Sequence, residues 1–190
     1  IIELFLSELK KQKEQLKKTE TVITRTDGDR YIEHSGDILE KTFGFIVDMK
    51  PDDVPILIVN YLYIGSQDCA VTTVLDKYDI KNVVSLGINV DCNVVNKFVP
   101  IFDLPETDIL PTLKKCLPFM RNCVENKQNV LVHCNAGVSR TSMVAIAYLM
   151  QYEAMDFDKA YNLVKTKRPA IQPNAGFKKQ LQCMKPGEII

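Results

Sequence analysis

The sequence predicts an α/β domain: a central sheet of four or five strands, mixed but mostly parallel, flanked by helices and preceded by an N-terminal helix and hairpin. Three observations predict it. From Ile56 onward, short runs rich in β-branched residues alternate with longer stretches of helical apolar spacing, the pattern of a sheet covered on both faces. Asn129-Val130-Leu131-Val132 reads as a short buried strand. Thr141 to Met150 reads as a helix on an apolar face, so that strand must pass through a tight loop straight into a helix N-terminus.

Taken in order, residues 2–18 have the spacing of an amphipathic helix. Ile2, Phe5, Leu6, Leu9 and Leu16 fall on one side, and Lys10, Lys11, Lys13, Lys17 and Lys18 on the other. Such a helix either docks on its own domain or binds a partner. Val22–Arg25 and Arg30–Glu33 flank Asp27-Gly28, a hairpin turn signal. Residues 34–53 hold Gly36, Gly44, Pro51 and several Asp, and read as a linker with a short strand at Phe43–Val47. The extension and linker therefore cover residues 1–53 and the main domain 54–190. Within that domain strands are expected at 56–59, 62–64, 82–86, 98–102 and 129–133. Helices are expected at 68–77, 111–126, 139–152, 156–167 and 174–182.

Composition narrows the function classes. The 190 residues are 46% hydrophobic, enough for a real core, and 24 basic residues balance 24 acidic ones. A net charge of zero argues against bulk attraction to nucleic acid or an acidic membrane, so any anion preference must be local to a site. No apolar run is long enough to span a bilayer. The six cysteines, at 69, 92, 116, 123, 134 and 183, show no paired spacing, which points to a reducing compartment: the cytoplasm, with the nucleus also open. Only two histidines, His34 and His133, are present and there is no Cys-x2-Cys pair, so no metal site is expected.

The chemistry concentrates in His133-Cys134-Asn135-Ala136-Gly137-Val138-Ser139-Arg140. A strand-to-helix loop points several backbone N–H groups at one spot, and the helix dipole adds partial positive charge there. A thiolate and a phosphate dianion are what such a place stabilises. Neighbouring cations and a helix N-terminus can lower a thiol from a pKa of about 8.5 to roughly 3.5–7.5, which makes Cys134 a candidate nucleophile. Arg140 offers a planar fork for two phosphate oxygens. Gly137 suits a position of positive φ or close approach to ligand. Ser139 and Thr141 carry hydroxyls able to hydrogen-bond the sulfur. His133 alternates away from the substrate side and is expected to brace the loop. The competing reading, an inert core cysteine, does not account for Gly, Ser and Arg at these offsets. A phosphomonoester leaving group also needs a proton. Asp103, Glu106 and Asp108, after the strand expected to end at Phe102, are the candidates.

The stretch HCNAGVSRTS resembles the HCxxGxSR[ST] signature of the cysteine-dependent protein tyrosine phosphatase superfamily, in its dual-specificity branch. The resemblance runs over residues 55–185 and includes Tyr61-Leu62-Tyr63-Ile64-Gly65-Ser66, Phe102-Asp103-Leu104-Pro105-Glu106-Thr107, and Arg168-Pro169 through Pro173-Asn174-Ala175-Gly176-Phe177. It implies a single phosphatase-like domain, with Cys134, Arg140 and Asp103 catalytic and residues 135–140 holding phosphate. It also implies that Asn174 ties the nucleophile loop to the neighbouring helix; capping the helix at 175–182 is an equal and compatible reading. No cofactor is implied. Substrates would be phosphorylated proteins, among them kinases of stress-signalling cascades, met by a monomer. Asn135, Ala136 and Val138 carry no charge for the extra phosphates of an inositide, which weighs against a lipid or RNA-end phosphatase. A shallow pocket would accept phosphoserine and phosphothreonine beside phosphotyrosine. The alternative of another class is a phosphate-binding scaffold that docks kinase-cascade partners and turns over incidentally. Cys69 or Cys92 could serve as a resolving thiol in redox regulation.

Overall fold

Pro100, which has no N–H to donate, marks where the outer strand of the main sheet must end. The structure, a computed structural model, describes residues 52–190 together with three short strands of the N-terminal part. The chain divides into two units, Ile1–Lys41 and Thr42–Ile190. In the first, β1 (Val22–Thr24), β2 (Arg30–Ile32) and β3 (Ile38–Leu39) form an antiparallel sheet in that order, with Ile23 opposite Tyr31 and Tyr31 opposite Ile38. The expected pairing of the first two strands is present, while β3 lies in what the sequence suggested was linker. The helix expected at 2–18, the turn at Asp27-Gly28 and the strand expected at 43–47 lie outside the described residues.

The second unit carries a five-stranded sheet made of β4 (Ile56–Val59), β5 (Leu62–Gly65), β6 (Ile80–Leu86), β7 (Val95–Val99) and β8 (Asn129–His133). Their order is β4-β5-β8-β6-β7, with β4 antiparallel to β5 and every other pairing parallel. The sheet is thus mixed and mostly parallel, as expected. Register places Gly65 and Ser85 on either side of His133, and Leu86 beside Val99. Four strand ends therefore converge at one edge, where parallel α/β sheets hold their ligands.

The helices are α1 (Thr72–Lys77), α2 (Leu110–Glu125), α3 (Arg140–Tyr152), α4 (Phe157–Lys167) and α5 (Ala175–Gln182). Alternate residues of the central strands feed two cores. Leu62, Ile64, Val84, Leu86, Val130 and Val132 pack with α2–α5, while Ile80, Val83 and Leu131 pack with Cys69, Ala70 and Leu75 on the opposite face. Every residue of α3 from Arg140 to Met150 is buried, so the helix that leaves the nucleophile loop is enclosed on all sides.

The strand expected at 82–86 begins at Ile80, and two further elements differ more. The strand expected at 98–102 is β7, at Val95–Val99, because Pro100 cannot continue the ladder that Val99 makes with Leu86. Residues 100–103 are thereby released into a loop. The helix expected at 68–77 is a 3₁₀ turn, Gln67–Ala70, followed by α1, since Val71 between them is extended at φ −80° and ψ 146°.

Candidate active site

The loop between β8 and α3 is fastened from outside, carbonyl by carbonyl. Asn135 O accepts from Gln67 N–H at 2.9 Å, and Val138 O accepts from Gln172 N–H at 2.9 Å and from Ser142 Oγ at 2.6 Å. Arg168 takes the two between them, donating from Nη2 to Ala136 O at 3.2 Å and from Nε to Gly137 O at 3.1 Å. A peptide whose carbonyl points outward carries its N–H inward, so this fastening builds the anion-holding concavity. Gly137 has φ +65°, and a Cβ there would lie 2.5 Å from Gly65 O and 2.8 Å from Arg168 Nη2. Only glycine meets both conditions.

Cys134 is 2% exposed at the base of the loop, and Arg140, opening α3, is 1% exposed. Arg140 Nη1 donates to Leu86 O at 3.2 Å, and its Nε lies 3.8 Å from Asp103 Oδ2. Asp103 Oδ1 accepts from Ser139 Oγ at 2.6 Å and from Asn174 Nδ2 at 2.8 Å. Asn174 N–H donates to Ser139 Oγ at 3.1 Å, and Asn174 Oδ1 accepts from Phe177 N–H at 2.9 Å, capping α5. The structure therefore gathers Cys134, Arg140, Asp103, Ser139 and Asn174 into one cluster. Asn174 meets both expectations at once, although its side-chain amide reaches Asp103 while its backbone reaches the loop.

Ser139 departs from expectation. Its one hydroxyl proton goes to Asp103, not to the cysteine sulfur, because the acid loop comes to lie beside it. Thr141 Oγ1 is buried and makes no hydrogen bond, to the cysteine sulfur or to any other group. Of the other acids considered, Asp108 Oδ1 accepts from Leu110 N–H at 3.0 Å, just before α2, and Glu106 is exposed.

His133 is fully buried, with Nε2 2.7 Å from Ser85 Oγ and Nδ1 3.3 Å from Cys134 O. Burial pushes its imidazole down to about 4; the contact with the Cys134 carbonyl opposes that shift and the Arg140 charge adds to it. Ser85 Oγ lies 2.8 Å from Asn96 Oδ1, whose amide nitrogen donates to Val90 O and Asn89 Oδ1, both at 3.0 Å. The brace behind the nucleophile loop thus extends two residues beyond the histidine.

Asp52 escaped the sequence reading, and Arg168 entered it only as part of the family resemblance, with no role. Arg168 is 5% exposed and pairs with the Asp52 carboxylate, which balances a guanidinium held out of water. Asp52 also uses its backbone. Its N–H donates to Asp68 Oδ2 at 3.2 Å, and its carbonyl accepts from Ser66 Oγ at 2.8 Å and Cys69 Sγ at 3.1 Å. Burial pushes the Cys69 thiol up to about 11, so Cys69 is a protonated structural thiol at neutral pH. Outside that resemblance, the place of Arg168 at a helix end looks like that of an exposed arginine. Among the described residues no cluster of three or more His, Cys, Asp or Glu could hold a metal ion.

A buried cysteine beneath inward N–H groups, a forked cation and a carboxyl group on the rim can hold a tetrahedral oxyanion and move a proton to or from one of its oxygens. Residues 62–185 match the dual specificity phosphatase catalytic domain. A Dictyostelium discoideum protein named for the same activity is 34% identical over 93% of this chain and 95% of its own length. Mouse dual specificity protein phosphatase 19 is 35% identical over 76% of this chain and 68% of its own length. The crystal structure of a mouse protein described as a dual specificity phosphatase complexed with zinc tungstate superposes with a TM-score of 0.64 at 31% identity, covering 74% of this chain and 91% of that one. On this sequence, fold and site, the chain belongs to the dual specificity phosphatase family of protein phosphatases.

Proposed function

We propose that the chain hydrolyses phosphotyrosine and phosphoserine or phosphothreonine in proteins through a phosphocysteine at Cys134. Cys134 Sγ attacks phosphorus in line, the P–O bond to the side chain breaks, and Asp103 gives its proton to the departing oxygen. Arg140 and the inward N–H groups of residues 135–140 hold the equatorial oxygens, where charge accumulates. Water then attacks the phosphocysteine, Asp103 takes its proton, and the P–S bond breaks to restore the thiolate, with Thr141 Oγ1 donating to the leaving sulfur. His133, braced on Ser85, keeps the Cys134 carbonyl in place.

The observation that carries this reading is the position of Asp103, joined to Ser139 Oγ at 2.6 Å and 3.8 Å from Arg140 Nε, on the rim of the loop that holds Cys134. The uncharged Asn135, Ala136 and Val138 favour a singly phosphorylated side chain over a polyphosphorylated ligand. Signalling kinases in the cytoplasm are the protein substrates this reading takes from the family resemblance.

The test is metal-free hydrolysis of p-nitrophenyl phosphate, a phosphotyrosine peptide and a phosphothreonine peptide. Cys134→Ser should abolish turnover, and Asp103→Asn should lower it by 10²–10⁴-fold on the peptides. Turnover that survives Cys134→Ser would overturn the phosphocysteine. Folded wild-type protein that binds phosphopeptides without hydrolysing them would establish the scaffold in its place.

A further inference from the structure

We propose that Gln180, on α5, is a positioning residue for Asp103, and that α5 sets the height of the acid loop over the nucleophile; this rests on Asp103 being the proton donor. Residues of α5 and its cap meet the acid loop in step. Asn174 Nδ2 holds Asp103 Oδ1 at 2.8 Å. At Gly176 the helix backbone passes so close to the Pro105 carbonyl that any Cβ would overlap it. Gln180 Nε2 donates to Thr107 O at 2.8 Å, and Gln180 Oε1 accepts from Ile109 N–H at 3.1 Å.

Between the two hydrogen-bonded ends the loop is stiff. Thr107 N–H donates to Leu104 O at 3.1 Å, closing a turn with Pro105 in its second position, where the fixed φ of proline suits it. A stiff turn held at both ends cannot rotate; released at Thr107, it pivots about Asp103. The carboxyl group would then sit off the line to the leaving oxygen, and proton transfer is sensitive to misplacement on the ångström scale. Gln180 has a second task, since Ile109, the residue before α2, has no side-chain cap of its own and Gln180 accepts its N–H. The two tasks use different atoms, so they can be separated.

The experiment measures kcat/KM over aryl phosphates graded from strongly to weakly acidic phenols, with wild type, Asp103→Asn, Gln180→Met and Gln180→Glu in the full chain. Proton donation matters little for a good leaving group and greatly for a poor one. Gln180→Met keeps the bulk and removes both bonds. It should lose about tenfold on phenyl phosphate and no more than about twofold on the most acidic phenol. Gln180→Glu keeps the acceptor for Ile109 N–H but faces Thr107 O with another oxygen. It should show the same grading with a melting temperature near wild type, and it carries the test if Gln180→Met does not fold. Equal loss across the series, or no loss, would overturn the proposal. If Asp103→Asn is graded while the Gln180 variants are flat, only the positioning role falls. A flat Asp103→Asn would remove the proton donor and the proposal with it.

Discussion

The nucleophile loop and the acid loop lie against one another yet are held by different means. The first is one uninterrupted run of chain, β8 into α3; strand direction, one glycine at φ +65° and a helix start set its path, and Gln67, Arg168 and Gln172 tie its carbonyls on every side. The second is released from the sheet by Pro100 and takes its position from Asn174, Gly176 and Gln180, some 70 residues further on. A loop whose carbonyls are tied on every side is set once the sheet and its neighbours form. A loop set by a distant helix moves when that helix moves. Binding of the phosphoryl group should therefore depend on the first loop, and discrimination among leaving groups on the second.

The largest expected effect is in the nucleophile loop. Gly137→Ala would force a Cβ to 2.5 Å from Gly65 O at an unfavourable φ, and should cut kcat/KM at least 100-fold on every phosphate ester alike. A leaving-group-dependent loss there would break the division of labour. Arg168→Ala, which leaves Ala136 O and Gly137 O without their donor, should lower kcat/KM by about 10–100-fold, again evenly across leaving groups. Asn174→Ala sharpens the contrast from the other side. Losing the α5 cap should cost about 1 kcal/mol in a denaturant melt, while kcat/KM should fall about tenfold for poor leaving groups and little for good ones.

The smallest effect on catalysis, and one visible in stability, comes from behind the loop. His133 titrates at about 4 when folded, below its ordinary 6.5, so the unfolded chain binds the extra proton first. Its contribution is present above pH 6.5 and is lost as pH falls towards 4, by about 3 kcal/mol in total. Melting temperature should fall over that window in wild type, and the slope should flatten in His133→Gln. An unchanged slope would show that the imidazole is not held neutral.

These same two regions divide what the sequence made legible. Strand, loop, Cys134, Arg140 and Gly137 lie within a dozen residues, and their spacing alone implied a phosphate site. By position Asp103 was one acid of three, and the family resemblance singled it out; what the structure adds is its contact with Ser139 and Asn174, which spacing cannot express. β7 was placed three residues late because the apolar run Val99 to Phe102 ignores the missing N–H of Pro100. Ser139 and Thr141 both offer hydroxyls to the sulfur by sequence, but packing brings the Asp103 carboxylate to Ser139. Arg168 and Asp52 meet across 116 residues, and no local pattern of charge announces such a pair.

The Asp52 pairing also bears on where this domain begins. The family match starts at residue 62, yet the anion that balances Arg168 sits ten residues earlier, outside the aligned region. A fragment cut at the alignment boundary would retain the arginine that carries two carbonyls of the phosphate loop and lose its counter-charge. That fragment would lose β4 as well, so the sharper cut begins at Ile56: with the sheet whole and Asp52 gone, the chain should fold and still bind oxyanions poorly.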